Sequence, residues 1–382
     1  RNMKLFNFLL EAGASPNTKN KESRSVLFQA FYSKDDEIAE LLQDKYKGNI
    51  NTQEKDNNSL AHLALLEQDL NRLNYYIQRK INLEIKNNNG YTIFMISIIM
   101  FDDLQLCSSL LSQGCNINTT DSKGNTALLN ILHSKVFNRC KFDFLINNKC
   151  NINIKNFNGE YPISACMVHE LNDEANLLLD KGAIINDSSS PYEPIVVALK
   201  MNSQFWFEKL LKLGATASNY KYSVLENYIN SSFFDFELMK TIKSANTAVG
   251  APIQAALRKK YNDVADYIWS ISDQKKRELI SRSVDSYGMI PISVAMVLDY
   301  IPLVSELLSR NTYEVMTPDK SKKTPFIYAC QKNQINWMKT IFSRIDINNA
   351  NIVDSSYRSA LTYVAENNDI KFCNFLFLNN IE

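Results

Sequence analysis

A six-residue word recurs along this chain. It reads SVLFQA at 25–30, SLAHLA at 59–64, TIFMIS at 92–97 and TALLNI at 126–131. Later versions are YPISAC, EPIVVA, APIQAA, IPISVA and TPFIYA, and SALTYV opens the last copy at 359. The closing residues are Ala30, Ala64, Ser97, Ile131, Cys166, Ala198, Tyr228, Ala256, Ala295, Ala329 and Val364, spaced 28 to 39 residues apart and mostly 32 to 35. Each word opens a helix, and a second apolar helix follows, as with Ile38, Leu41 and Leu42 on one face. A polar, Asn-rich segment closes each copy: NINTQEKD from Asn49, NLEIKNNNG from Asn82, CNINTTDSKG from Cys115, CNINIKNFNG from Cys150. One such unit cannot bury its own apolar face, so a period near 33 demands a stack.

The opening word and the ending LLEAGASPNTKN at 9–20 resemble the T-P-L-H-x-A opening and LLxxGAdvNxxd ending of the ankyrin repeat family. The resemblance covers nearly the whole chain. It implies an all-α solenoid of stacked helix-turn-helix units with short β-hairpin-like fingers: eleven divergent repeats after a cut N-terminal one. It is specific in repeats one to six and nine to eleven and weak in seven and eight. The expected division is therefore 1–219, 220–289 with an insertion near 274–282, and 290–382. The insertion reads as an extra helical turn. Family membership implies that His62 hydrogen-bonds between repeats, that partners bind across the fingers and inner helix face, and that the fold carries no catalytic machinery of its own.

Composition narrows the function. A chain of 382 residues exceeds what one globular core supports, which favours an array. A formal net charge of +1 gives no broad footprint for nucleic acid or acidic lipid. The longest apolar run, 93–101, is too short to span a bilayer. The chain begins at Arg1 inside a repeat and reads as a piece of a larger intracellular protein. Its seven cysteines show no C-x-x-C, and an odd number outside any framework points to a reducing, cytoplasmic setting. Cys115 and Cys150 occupy equivalent places and read as small buried residues. No H-E-x-x-H, G-x-S-x-G, G-x-x-x-x-G-K or G-x-G-x-x-G occurs, so no enzyme, cofactor or metal is expected. His133 and His169 follow their first-helix words and face solvent or a partner. The basic runs at 258–260 and 275–277 read as solvated helix faces. Phe205, Trp206, Phe207, Trp269, Trp337, Phe372 and Phe375 read as inter-repeat core.

Two details concern the backbone. Proline stands second in five opening words, where its missing N–H costs nothing; only Thr324 precedes one as a good cap. With just 10 Gly, several tight turns fall to Asn.

The places that should face a partner are unexpectedly apolar. Fingertip positions hold Tyr91, Phe157, Tyr192, Tyr287 and Met289. Positions on the concave side of the first helices hold Tyr32, Leu66, Ile99, Met100, Val168 and Met201. Exposed apolar side chains in such regular order suggest a protein-binding surface. The expected function is a non-catalytic scaffold or adaptor. Its alternative is the regulatory or substrate-recruiting arm of an enzyme (a ubiquitin ligase, kinase or lipid-modifying enzyme) or of a membrane channel. Flanking segments of the same polypeptide are a further possible occupant.

Overall fold

The computed structural model describes residues 3–216, 223–242, 250–309, 313–379 and 381. The chain divides into two compact units, 1–184 and 185–382. The sequence-based boundary at 219/220 lies outside the described residues.

Each unit is an all-α stack of helix-turn-helix repeats. The words become first helices: Val26–Tyr32, Leu60–Leu66, Ile93–Met100, Ala127–Leu132 and Pro162–Val168 in the first unit. In the second they are Pro194–Lys200, Val224–Asn230, Pro252–Arg258, Pro291–Val297, Pro325–Gln331 and Ala360–Glu366. Hydroxyl caps start several of them: Ser59, Thr92, Thr126, Thr324 and Ser359 each accept the N–H three residues on. Among the Pro-bearing words Thr324 alone does so; Tyr161, Glu193, Ala251 and Ile290 make no side-chain cap.

First helices lie between neighbouring repeats and their own second helix, so they are buried almost all round. Ile93 through Ile98 are buried without a break. Second helices bury one stripe only, such as Arg72, Leu73 and Tyr76 in Leu70–Gln78. Most are nine residues long, and Asp35, Asp69, Asp103, Asn138, Ser203 and Asp369 cap them. Trp206, Phe207, Trp269, Trp337 and Phe372 are buried as expected, but Phe205 is 60% exposed.

The fingers are hydrogen-bonded turns with hardly any strand. Among the described residues the only β pairings are the isolated bridges Gln53–Ser59 and Thr120–Thr126. One geometry repeats in Asn20, Asn87, Asp121, Asn156, Asp285, Asp319 and Asp354. Each side-chain oxygen accepts the backbone N–H of the residues two and four places on. Neighbouring fingers are joined by backbone rungs: Lys55 to Glu22, Asn88 to Asp56, Ser122 to Asn89 and Phe157 to Lys123 in the first unit. Lys320 to Tyr287 and Ser355 to Ser321 are the rungs of the second.

A second ladder runs beside the first and explains the Asn-rich composition. Asn17, Asn51, Glu84, Asn118 and Asn153 accept the N–H of Asn49, Asn82, Asn116, Asn151 and Ile184 at 2.6–2.8 Å. Asn186 does the same for Thr216 within the second unit. Each rung contributes about 0.5–1.5 kcal/mol net.

Positive φ is not mainly an Asn property here. Asn57, Asn202, Asn333 and Asn368 adopt it, but Lys34, Lys47, Lys80, Lys149, Lys260 and Lys322 do so as well. The insertion also differs from the expected single turn. Gln274–Arg282 is a complete nine-residue helix. Ile280 and Ser281 are its buried residues, and Arg277 donates to the carbonyls of Trp269 and Ser270, closing the preceding helix.

Candidate protein-interaction surface

In the first unit, three nominated residues line one groove. Leu66, Tyr91 and Met100 surround a depression of about 470 Å³ with Ile96. Asp56, Asn58, Asn87, Asn88 and Asn89 complete its lining. Met100 is 61% exposed and Leu66 39%, while Tyr91 is half-buried. First helices supply the apolar residues and fingers the amide-rich ones. Such a cleft offers contact area to an aliphatic side chain and hydrogen bonds to a backbone.

The other nominations in this unit have separate surroundings. Tyr32 donates its hydroxyl to Glu54 Oε2 at 2.9 Å beneath the Arg24 guanidinium, 4.3 Å from the ring centre. Burial, then Glu54, pushes that phenol up to about 12. Ile99 is half-buried, and its carbonyl takes Lys141 Nζ at 3.4 Å. Val168 is exposed at the end of its helix. Phe157 is exposed and lies on Gly124, where an added Cβ would meet its ring at 2.8 Å.

In the second unit Tyr192 and Met201 are half-buried, and Lys200 stands 5.5 Å from the Tyr192 ring centre. Tyr287 is 60% exposed with Arg258 over one face at 4.6 Å. Met289, expected at the surface, is buried at 7% exposure. It stands four places after the finger Asp285, where the chain turns back toward the preceding helix. Its carbonyl accepts Gln254 Nε2 and its sulfur lies 3.3 Å from Arg258 Nη2. Tyr91 holds the equivalent place after Asn87, and its ring is long enough to emerge.

His62 is fully buried. Its Nε2 meets the Tyr91 carbonyl at 2.9 Å in the next repeat, and Nδ1 closes a capping box with Ser59. Gln254, at the same place in its word, reaches the Met289 carbonyl. The aligned words SLAHLA and APIQAA place Gln254 where His62 stands. His133 and His169 face each other, Nδ1 to Nε2 at 3.2 Å. Glu160 binds His133 Nε2 at 3.0 Å and holds its pKa above the usual value. Burial pushes the Cys115 and Cys150 thiols up to about 12, which keeps them protonated. No group of three or more His, Cys, Asp or Glu is arranged for a metal ion among the described residues. None of their helices is long and apolar enough to cross a membrane.

No family model matches the chain. It is 28% identical over 163 residues to a putative ankyrin repeat protein of Fowlpox virus, covering 42% of this chain and 37% of that protein. It is 29% identical over 131 residues to a putative ankyrin repeat protein of Rickettsia felis, covering 34% and 42%. The chain is a stack of ankyrin-like repeats, similar to these proteins over 34–42% of its length. It is also 32% identical over 162 residues to an intracellular phospholipase A2 of Caenorhabditis elegans, covering 41% of this chain. The chain spans only 15% of that last protein and less than half of the other two. A solved ankyrin repeat domain from Acinetobacter baumannii AYE is similar at a TM-score of 0.39 and 19% identity, over 48% of this chain and 94% of that one.

Proposed function

We propose that this ankyrin-repeat chain is a non-catalytic scaffold that holds a protein partner against the concave face of its first unit. The observation that carries the reading is the groove lined by Leu66, Tyr91 and Met100. These side chains stabilise their own repeats little because much of their surface is left to solvent. A partner segment would cover them with an aliphatic side chain and pair its backbone with the asparagine amides. The free cysteines support a reducing, cytoplasmic setting. The overall charge balance favours a protein over nucleic acid.

The test is site-specific photo-crosslinking in cells with the probe at Met100, alone and combined with Leu66→Lys. The expected result is a discrete adduct that Leu66→Lys abolishes, with the melting temperature unchanged because surface substitutions stay within about 0.5 kcal/mol. Adducts identical to those from a probe on the outer helix face, at Glu40, would refute the groove.

A second reading, the recruiting arm of a lipid-modifying enzyme, is favoured by the match to an intracellular phospholipase A2. In that arrangement the same groove would bind a substrate-presenting protein or a flanking segment of the polypeptide. Co-purification of lipid hydrolase activity that depends on Leu66 distinguishes it from a free-standing scaffold.

A further inference from the structure

The last two fingers of the second unit carry long side chains at a place that is glycine or serine in the other fingers of this geometry. The residue three places after the finger Asn or Asp has positive φ in every finger of this geometry that is described in full. It is Ser23, at φ 60°, in the first finger and glycine at Gly90, Gly124, Gly159 and Gly288. In the last two fingers it is Lys322, at φ 59°, and Tyr357, at φ 60°. A bulky residue in the left-handed region is strained, and such strain points to a use for the side chain. Tyr357 is 88% exposed, so packing does not account for it.

The charges around these tips are sorted. Asp285 and Asp354 are buried at 7% and 1% side-chain exposure. Arg258 and Arg358 respectively pair with them, and the Tyr363 hydroxyl also bonds Asp354 at 2.6 Å. Asp319 is occupied by the Tyr328 hydroxyl and by its own turn. The acids therefore point inward, whereas Lys320 and Lys322 are exposed. Lys320 lies across Gly288, where a Cβ would approach its Cγ at 3.2 Å. Backbone rungs join the three fingers, so Tyr287, Lys320, Lys322 and Tyr357 occupy consecutive, hydrogen-bonded tips.

We propose that these three fingertips are a docking surface for an acidic polypeptide segment. Two cations with no counter-ion among the described residues match a few carboxylates, and the tyrosine hydroxyls donate to the same oxygens. A polynucleotide would need more cations than two, since its affinity grows with each phosphate neutralised. This deepens the scaffold reading but uses a different unit, so either fails without the other.

The full chain is titrated with a glutamate-rich peptide, its glutamine counterpart and a single-stranded oligonucleotide of matched charge. The expected result is binding of the glutamate peptide alone, weakening as salt is added. Lys322→Gly and Tyr357→Gly should each weaken it about tenfold. Neither should lower the melting temperature, because glycine relieves the left-handed strain. Lys181→Gln, a charge removal at an exposed turn of the first unit, should leave this affinity unchanged. No peptide binding, wild-type affinity in both glycine variants, or tighter binding of the oligonucleotide would each overturn the proposal.

Discussion

His62 and His133 sit in opposite electrostatic settings, and acid separates them. Burial holds the His62 pKa below its ordinary value. Its contribution to stability is present above about pH 6.5 and is lost as pH falls through the folded value. The Glu160 hydrogen bond holds His133 above that value. Its contribution is present below about pH 6.5 and is lost as pH rises through the folded value. Denaturant melts at about pH 5 and about pH 8 should show this. His62→Gln should flatten the loss of stability on acidification, and His133→Asn should remove a gain. Equal pH dependence in both variants and wild type would contradict the assignment. His62 was legible in the sequence because its word matches the family's pattern. Met289 was not, because exposure at a fingertip depends on side-chain length and on what the preceding helix presents, here Arg258. Lys322 and Tyr357 become visible only when the fingers are aligned on their Asn or Asp, which places them over glycines.

Among the described second helices of the eleven repeats that follow the cut one, that of repeat seven is the shortest and buries least. Phe236–Thr241 has six residues and buries only Met239, whereas Arg139–Asn147 has nine and buries four. In a repeat protein stability is local plus nearest-neighbour. Backbone amides of 239–241 should therefore exchange with solvent much faster than those of 143–147, as hydrogen-exchange mass spectrometry would measure. The insertion helix Gln274–Arg282 depends on Arg277, whose Nε donates to the Trp269 carbonyl at 3.0 Å. Arg277→Ala should cost about 1 kcal/mol in a denaturant melt. A neutral result would mean that Ile280 anchors the helix alone. The sequence showed that residues were inserted here but not that they form a full helix, since helix formation depends on the capping Asp273 and on a buried face.

For the whole molecule, the first unit should fold without the second, because repeats bury their apolar faces against immediate neighbours. Residues 1–184 expressed alone should give a helix-dominated circular dichroism spectrum and a cooperative melt. A disordered spectrum would show that the unit needs residues beyond 184. The 33-residue period made the stacked architecture legible, whereas the boundary near 184 leaves no mark in the spacing of the words.

The ladder of Asn17, Asn51, Glu84, Asn118 and Asn153 makes copy number editable while register is not. Every rung joins equivalent atoms one period apart, so nothing in it counts repeats. Excising residues 83–116 would bring Asn82 next to Ile117 and Asn118, restoring an Asn-Ile-Asn tripeptide at the junction. Asn51 would still meet the Asn82 N–H, and Asn118 that of Asn151. A shortened chain of this kind should close over the gap as a duplicated one would accommodate an extra copy. A cut shorter by a few residues would set every later amide against the wrong oxygen.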